Sequence, residues 1–190
     1  MANLLLIHGL PGFDLVDFFS FFTNWSNLFA AAVFAYAAFH QPGPRLDSLR
    51  GAAVVWLATT GTVDLILLGR GAHLDPPLNA VHFDLHRVVP VAAAIDWAVN
   101  PPARRFGVRD AVSWLSIPIL FAVYSMARGS LIHWYPYGFF DPGAVGGYAG
   151  VLWWVAGISV GVLAIAALVI VVGNLGHRML VRRSLAPDPP

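Results

Sequence analysis

Cysteine, lysine and glutamate are absent from this 190-residue chain, and charge of either sign is scarce. Without cysteine there is no disulfide, no iron–sulfur cluster and no thiolate nucleophile, and the redox compartment stays open. Without lysine there is no amine for a retinal-type or pyridoxal Schiff base. The eleven basic residues are all arginine and the ten acidic residues all aspartate. Charged residues make up 11% of the chain, against about 25% in an ordinary soluble domain. The net charge of +1 gives no electrostatic case for nucleic acid. No cofactor and no resident metal ion are expected.

What is present is apolar. Hydrophobic residues reach 58% and mean hydropathy is +0.69. These values point to an all-α integral membrane bundle in a single domain over residues 1–190. A spanning helix takes roughly 20 apolar residues, and five segments qualify. They run from about Leu15 to Phe39, Gly51 to Gly69, Leu78 to Val99, Val108 to Ala127 and Gly146 to Leu175. Turn signals separate them at Gln41-Pro42-Gly43-Pro44, Asp75-Pro76-Pro77, Asn100-Pro101-Pro102 and Asp141-Pro142-Gly143. Residues 1–13 read as a poor signal peptide, either the stub of an earlier span or an interfacial segment. Residues 184–190 read as a disordered tail.

Arginine placement suggests an orientation. Arg45, Arg50, Arg104, Arg105, Arg109, Arg178, Arg182 and Arg183 fall on one side if the helices alternate, and Arg70 and Arg128 on the other. The positive-inside rule then places the N-terminus outside and the C-terminus in the cytoplasm, in a bacterial inner membrane.

The polar residues of the spans gather at the outer side. Thr23 and His86 each lie about eight residues in from the outer ends of their segments. Asp64 lies at similar depth on the second, and Tyr124 and Arg128 close the fourth. Polar side chains at membrane depth are costly and usually face a cavity, a pathway or a reactive site. A hydroxyl beside an imidazole is the minimum for nucleophilic catalysis. Ser20, Thr23 and Asn27 share a helical face, with Asn24 beside them; the plainer reading is that such residues knit helices together. His82 and His86 stand one turn apart, a spacing that also suits a metal or a haem. Pro90 removes the helical partner of the His86 carbonyl and should kink the helix. Asp84 and Arg87 are expected to project elsewhere. The loop Tyr135–Asp141 is dense in aromatics and suggests an interfacial belt, or a lid.

Three motifs in order carry a resemblance: Phe21-Phe22-Thr23-Asn24-Trp25-Ser26-Asn27; His86 followed by Pro90 and Asp96-Trp97; and Tyr135-Pro136-Tyr137-Gly138-Phe139-Phe140-Asp141-Pro142 with Gly147-Tyr148. Together, over roughly Phe18 to Tyr148, they resemble bacterial relatives of the androgen-induced membrane proteins. In vertebrates these hydrolyse fatty-acid esters of hydroxy fatty acids. The resemblance implies Thr23 as nucleophile and His86 as its base. Family members usually have six spans, so an N-terminal helix would here be missing or replaced. Asp64 is the depth-matched partner for the imidazole. Asn24 and Asn27 could donate to an oxyanion, and His82, Tyr124 and Tyr137 complete the candidate site. Expected partners are a lipid-like ester and the membrane lipids, with no nucleic acid. The competing readings are a lipid-binding or transport module, and a bis-histidine haem or metal protein.

Overall fold

The structure, a computed structural model, describes residues 14–41, 43–68 and 76–184. The expectations for residues 1–13, for the turn at 69–75 with Arg70, and for the tail beyond Ser184 lie outside the described residues. The fold is an all-α bundle, with no strand among the described residues. A short turn α1 (Leu15–Phe18) precedes α2 (Phe22–Phe39) and α3 (Pro44–Val63), which runs on as a π-turn through Asp64–Leu68. Helix α4 (Pro76–Phe83), a second π-turn (Asp84–Val88) and α5 (Val89–Val99) form one rod. Helices α6 (Val108–Ile132) and α7 (Tyr148–Ser184) follow. Among the described residues there are thus five rods at about the expected places. Among the described residues, Pro44–Leu68, Val108–Ile132 and Tyr148–Arg182 are long and apolar enough to cross a membrane.

Helix α3 is the centre of the bundle and packs against α2, α5, α6 and α7. Its small residues permit that. A Cβ on Gly51 would lie 2.5 Å from the Trp114 ring, so only glycine lets that ring lie against the helix. Trp97 and Leu57 are fully buried beside it. Two indoles are tied to backbone: Trp56 Nε1 donates to the Trp114 carbonyl at 2.8 Å, and Trp97 Nε1 to that of Val169 at 2.9 Å.

Several expected boundaries need correction. The fourth and fifth spans run past Ala127 and Leu175, to Ile132 and to Ser184, which is helical rather than part of a tail. The first span does not run unbroken from Leu15. Phe21 is extended, and α2 starts at Phe22. Side chains stabilise the break by taking its carbonyls: Asn24 Nδ2 donates to Phe18 O at 2.5 Å, and Trp25 Nε1 donates to Phe19 O. Ser20 Oγ bonds back to Val16 O. Asn, Ser and indole donors offer the backbone an alternative to the helical ladder. The second span starts at Pro44, not Gly51, because Pro44 sits in the first turn where its missing N–H costs nothing. Arg50 is therefore not a loop residue. It is buried in α3, with Nη1 3.3 Å from Asp47 and Nη2 2.7 Å from Asp96. Asp47 in turn accepts from the Ala103 N–H at 2.8 Å. A buried charge persists only when paired in this way.

This network ties α3, α5 and the loop after α5 together at one end of the bundle. The polar residues around Thr23 gather at the other end.

Candidate active site

The early break before α2 changes what Thr23 is. It is the second residue of the helix, where the first N–H groups have no helical acceptor and carry the positive end of the dipole. The Phe22 N–H donates to the Tyr137 hydroxyl at 3.1 Å. Burial pushes the Tyr137 phenol up from its ordinary value, so it remains a proton-bearing group.

Thr23 Oγ1 lies 3.2 Å from His86 Nε2. His86 Nδ1 lies 2.9 Å from the His82 carbonyl oxygen. A carbonyl only accepts, so Nδ1 must carry the proton in a neutral imidazole. Nε2 then holds a free lone pair, and the Thr23 hydroxyl donates to it. One backbone contact thus selects the tautomer that a base needs.

His86 is placed by the irregular backbone around it. A π-turn rotates the residues that follow relative to those before, and such turns recur at functional sites. Two face each other here, Asp64–Leu68 and Asp84–Val88. The His86 carbonyl, left without a helical donor by Pro90, accepts from Arg87 Nη1 at 2.9 Å. A Cβ on Gly61 would lie 2.7 Å from that carbonyl oxygen, so glycine sets how closely α3 approaches His86. Arg87 also reaches the Gly61 carbonyl at 3.3 Å, and its Nη2 pairs with Asp64 at 2.9 Å. The expectation that Arg87 projects elsewhere is thereby corrected. Its guanidinium donates to an orphaned carbonyl and forms an ion pair with a buried carboxylate at once.

Asp64 is 2% exposed and accepts from His82 Nε2 at 3.0 Å. It does not touch the His86 Nδ1 proton, as an immediate partner would, because the His82 carbonyl holds that place. Ligand atoms of Asp64, His82 and His86 nevertheless lie within 4.8 Å of one another, the geometry of a possible metal cluster. The two imidazoles stack, with centroids 4.2 Å apart and planes at 28°. Rings stacked side by side cannot take opposite faces of one haem iron.

The remaining candidates divide. Tyr137 lines the same cavity as Thr23 and His86, a space of about 70 Å³ with mainly apolar walls that Phe121, Phe139 and Phe140 help to form. The loop therefore packs onto the site. Asn24 and Asn27 are not free oxyanion donors. The amide of Asn24 is spent on Phe18 O, and that of Asn27 on Thr23 O at 2.8 Å and on Leu85 O at 3.5 Å. Asn27 instead bridges the turn of Thr23 to the π-turn of His86. Tyr124 lies apart from the cavity, hydrogen-bonded to Ser20 at 3.0 Å and lining a separate apolar groove. The break at Phe19–Phe21 moved Ser20 off the face it was expected to share with Thr23. Thr60 joins the site's support without having been singled out, through a 3.0 Å hydroxyl contact with Ser26 on α2. Such contacts between apolar helices are worth about 0.6 kcal/mol, rarely above ~2 kcal/mol.

No family model, curated protein or solved structure matches the chain.

Proposed function

We propose that this chain is a membrane-embedded hydrolase of lipid-like esters that uses Thr23 as nucleophile and His86 as base. The observation that carries the reading is the oriented Thr23–His86 contact at 3.2 Å, with His86 Nδ1 held on the His82 carbonyl. A threonine hydroxyl is weakly nucleophilic until a base takes its proton. In the proposed first step Oγ1 bonds to the ester carbonyl carbon as its proton passes to His86 Nε2. The carbonyl oxygen becomes an oxyanion. The Tyr137 O–H, on the cavity wall with Thr23, is the donor proposed for it, supplying the kind of stabilisation that dominates acyl transfer. The tetrahedral centre then expels the alkoxide, which takes the proton from His86. Water, deprotonated by the same nitrogen, adds to the acyl carbon; the bond to Thr23 breaks, Oγ1 takes its proton back from His86 Nε2, and the acid is released. Asp64, within 4.8 Å of the imidazole, offsets the imidazolium charge through space.

The site sits among apolar rods, which favours a substrate that reaches it laterally from lipid. The arginine-rich opposite end supports an N-terminus outside and a C-terminus in the cytoplasm. Fatty-acid esters of hydroxy fatty acids, or similar esters, fit that setting.

The test is hydrolysis of a long-chain ester by purified protein. Thr23→Ala and His86→Ala should each lower the rate by about 10²–10⁴-fold, the usual contribution of a positioned base. The double variant should be no worse than either single one, because the two act as a unit. Thr23→Ser should keep part of the activity. Unchanged hydrolysis by Thr23→Ala would remove the reading.

A further inference from the structure

We propose that Asp64, His82 and His86 form a binding site for a divalent transition ion of the zinc class, and that this ion competes with Thr23 for His86. Two imidazole nitrogens and a carboxylate are the ligand types that such ions prefer. Their ligand atoms already lie within 4.8 Å of one another. The two imidazoles stack, which puts both on one side of the rod. Metal–nitrogen and metal–oxygen bonds of about 2.0–2.2 Å would fit between these groups after side-chain adjustments alone.

The surroundings support an ion in three further ways. The His86 Nδ1–H on the His82 carbonyl, at 2.9 Å, leaves Nε2 as the free donor; metal-bound histidines usually fix their other nitrogen like this. Asp64 is buried, and Arg87 pairs with its second oxygen at 2.9 Å, which orients the carboxylate; an ion would replace the proton that His82 Nε2 places on the first oxygen. A cleft of about 410 Å³ lined by Asn79, His82, Phe83 and Arg87 opens onto the His82 ring and provides a way in. Three protein ligands leave a fourth position for water, as in open zinc sites.

Occupancy has a chemical consequence. The lone pair of His86 Nε2 that accepts from Thr23 is the one a metal would take. Thr23 would lose its base, so a filled site is an inactive one. The Arg87 guanidinium beside Asp64 opposes a dication, which makes binding reversible and suits an inhibitor better than a resident cofactor. The inhibition rests on the hydrolase reading; the binding does not.

The two parts are therefore tested separately. Cobalt(II) titrated into the detergent-purified full chain should give saturable visible d–d absorption at one equivalent, displaced by zinc. His82→Phe keeps a ring stacked on His86 but removes its ligand, and Asp64→Asn keeps the shape of the carboxylate. Each should weaken cobalt binding at least about tenfold, while Thr23→Ala should not weaken it. His82→Gln serves if His82→Phe misfolds. Equal affinity in wild type and in the folded His82 variant, or no saturable spectrum, would overturn the site. In the second arm, zinc should slow fluorophosphonate labelling of Thr23 in wild type and leave it unchanged in His82→Phe. Labelling at an unaltered rate in protein whose cobalt signal zinc has displaced would overturn the competition. If cobalt binds while Thr23 is never labelled, the hydrolase reading fails and the metal site stands.

Discussion

At the scale of single residues, function depends on which atoms are left with nothing to bond. Pro90 has no N–H, so the His86 carbonyl needs a donor from elsewhere and takes Arg87. The His82 carbonyl accepts from His86 Nδ1 and thereby frees Nε2. Thr23, His86 and the orphaned carbonyl were legible in the sequence, because a hydroxyl, an imidazole and a proline announce their chemistry by type and spacing. Arg87 was not, since its sequence neighbours suggested that it points away. Only the close approach of α3 at Gly61 brings a carboxylate and a second carbonyl within its reach. That approach yields a prediction. Gly61→Ala would put a Cβ 2.7 Å from the His86 carbonyl oxygen, which is backbone and cannot rotate away. Overpacking of this kind costs about 1–3 kcal/mol, and the displacement falls on His86, the proposed base. Gly61→Ala should lower hydrolysis well beyond its effect on stability, measured as activity per folded protein after thermal denaturation controls. Full activity in the folded variant would mean that the spacing at Gly61 does not set the position of His86.

At the scale of elements, irregular backbone builds the site. The break before Phe22 puts Thr23 at a helix N-terminus, and two facing π-turns aim Asp64 and His86 inward. Hydrophobic periodicity reveals where a helix exists but not where an extra residue is inserted into a turn. For that reason the rods were readable in the sequence and the break and π-turns were not. The aromatic loop was readable in composition only. Its place over the cavity depends on the Tyr137 hydroxyl meeting the Phe22 N–H, and on Tyr135 packing where Gly129 leaves room. If the loop shapes substrate access, Tyr137→Phe should reduce the rate with all esters, since it removes the hydroxyl beside Thr23. Phe139→Ala should instead change the ratio of long-chain to short-chain rates, because Phe139 lines the cavity. Competition between short-chain and long-chain esters reads both. Identical selectivity in Phe139→Ala and wild type would leave the loop with no part in selection.

At the scale of the whole molecule, charge is sorted between two ends. One end holds the Thr23 site with Asp64 and Arg87. The other holds Arg50 in its ion pairs with Asp47 and Asp96, and the Arg104–Asp110 pair at 2.5 Å. The count of loop arginines that suggested the orientation included Arg50, which is buried and neutralised. The remaining arginines at that end still outnumber those at the site. A reporter fused after Pro190 should therefore report the cytoplasm, and one inserted at the exposed Ala144 should report the exterior. The reverse pattern would move the site to the cytoplasmic leaflet and change the side from which substrate arrives.

The central claim is that the Thr23 oxygen becomes covalently bonded during turnover. Detergent-purified protein is labelled with a fluorophosphonate, digested and mapped by mass spectrometry. The account predicts a single adduct on Thr23 that is lost in Thr23→Ala and strongly slowed in His86→Ala. An adduct on another hydroxyl such as Ser20, Ser26 or Tyr137, with Thr23 unmodified, would contradict it.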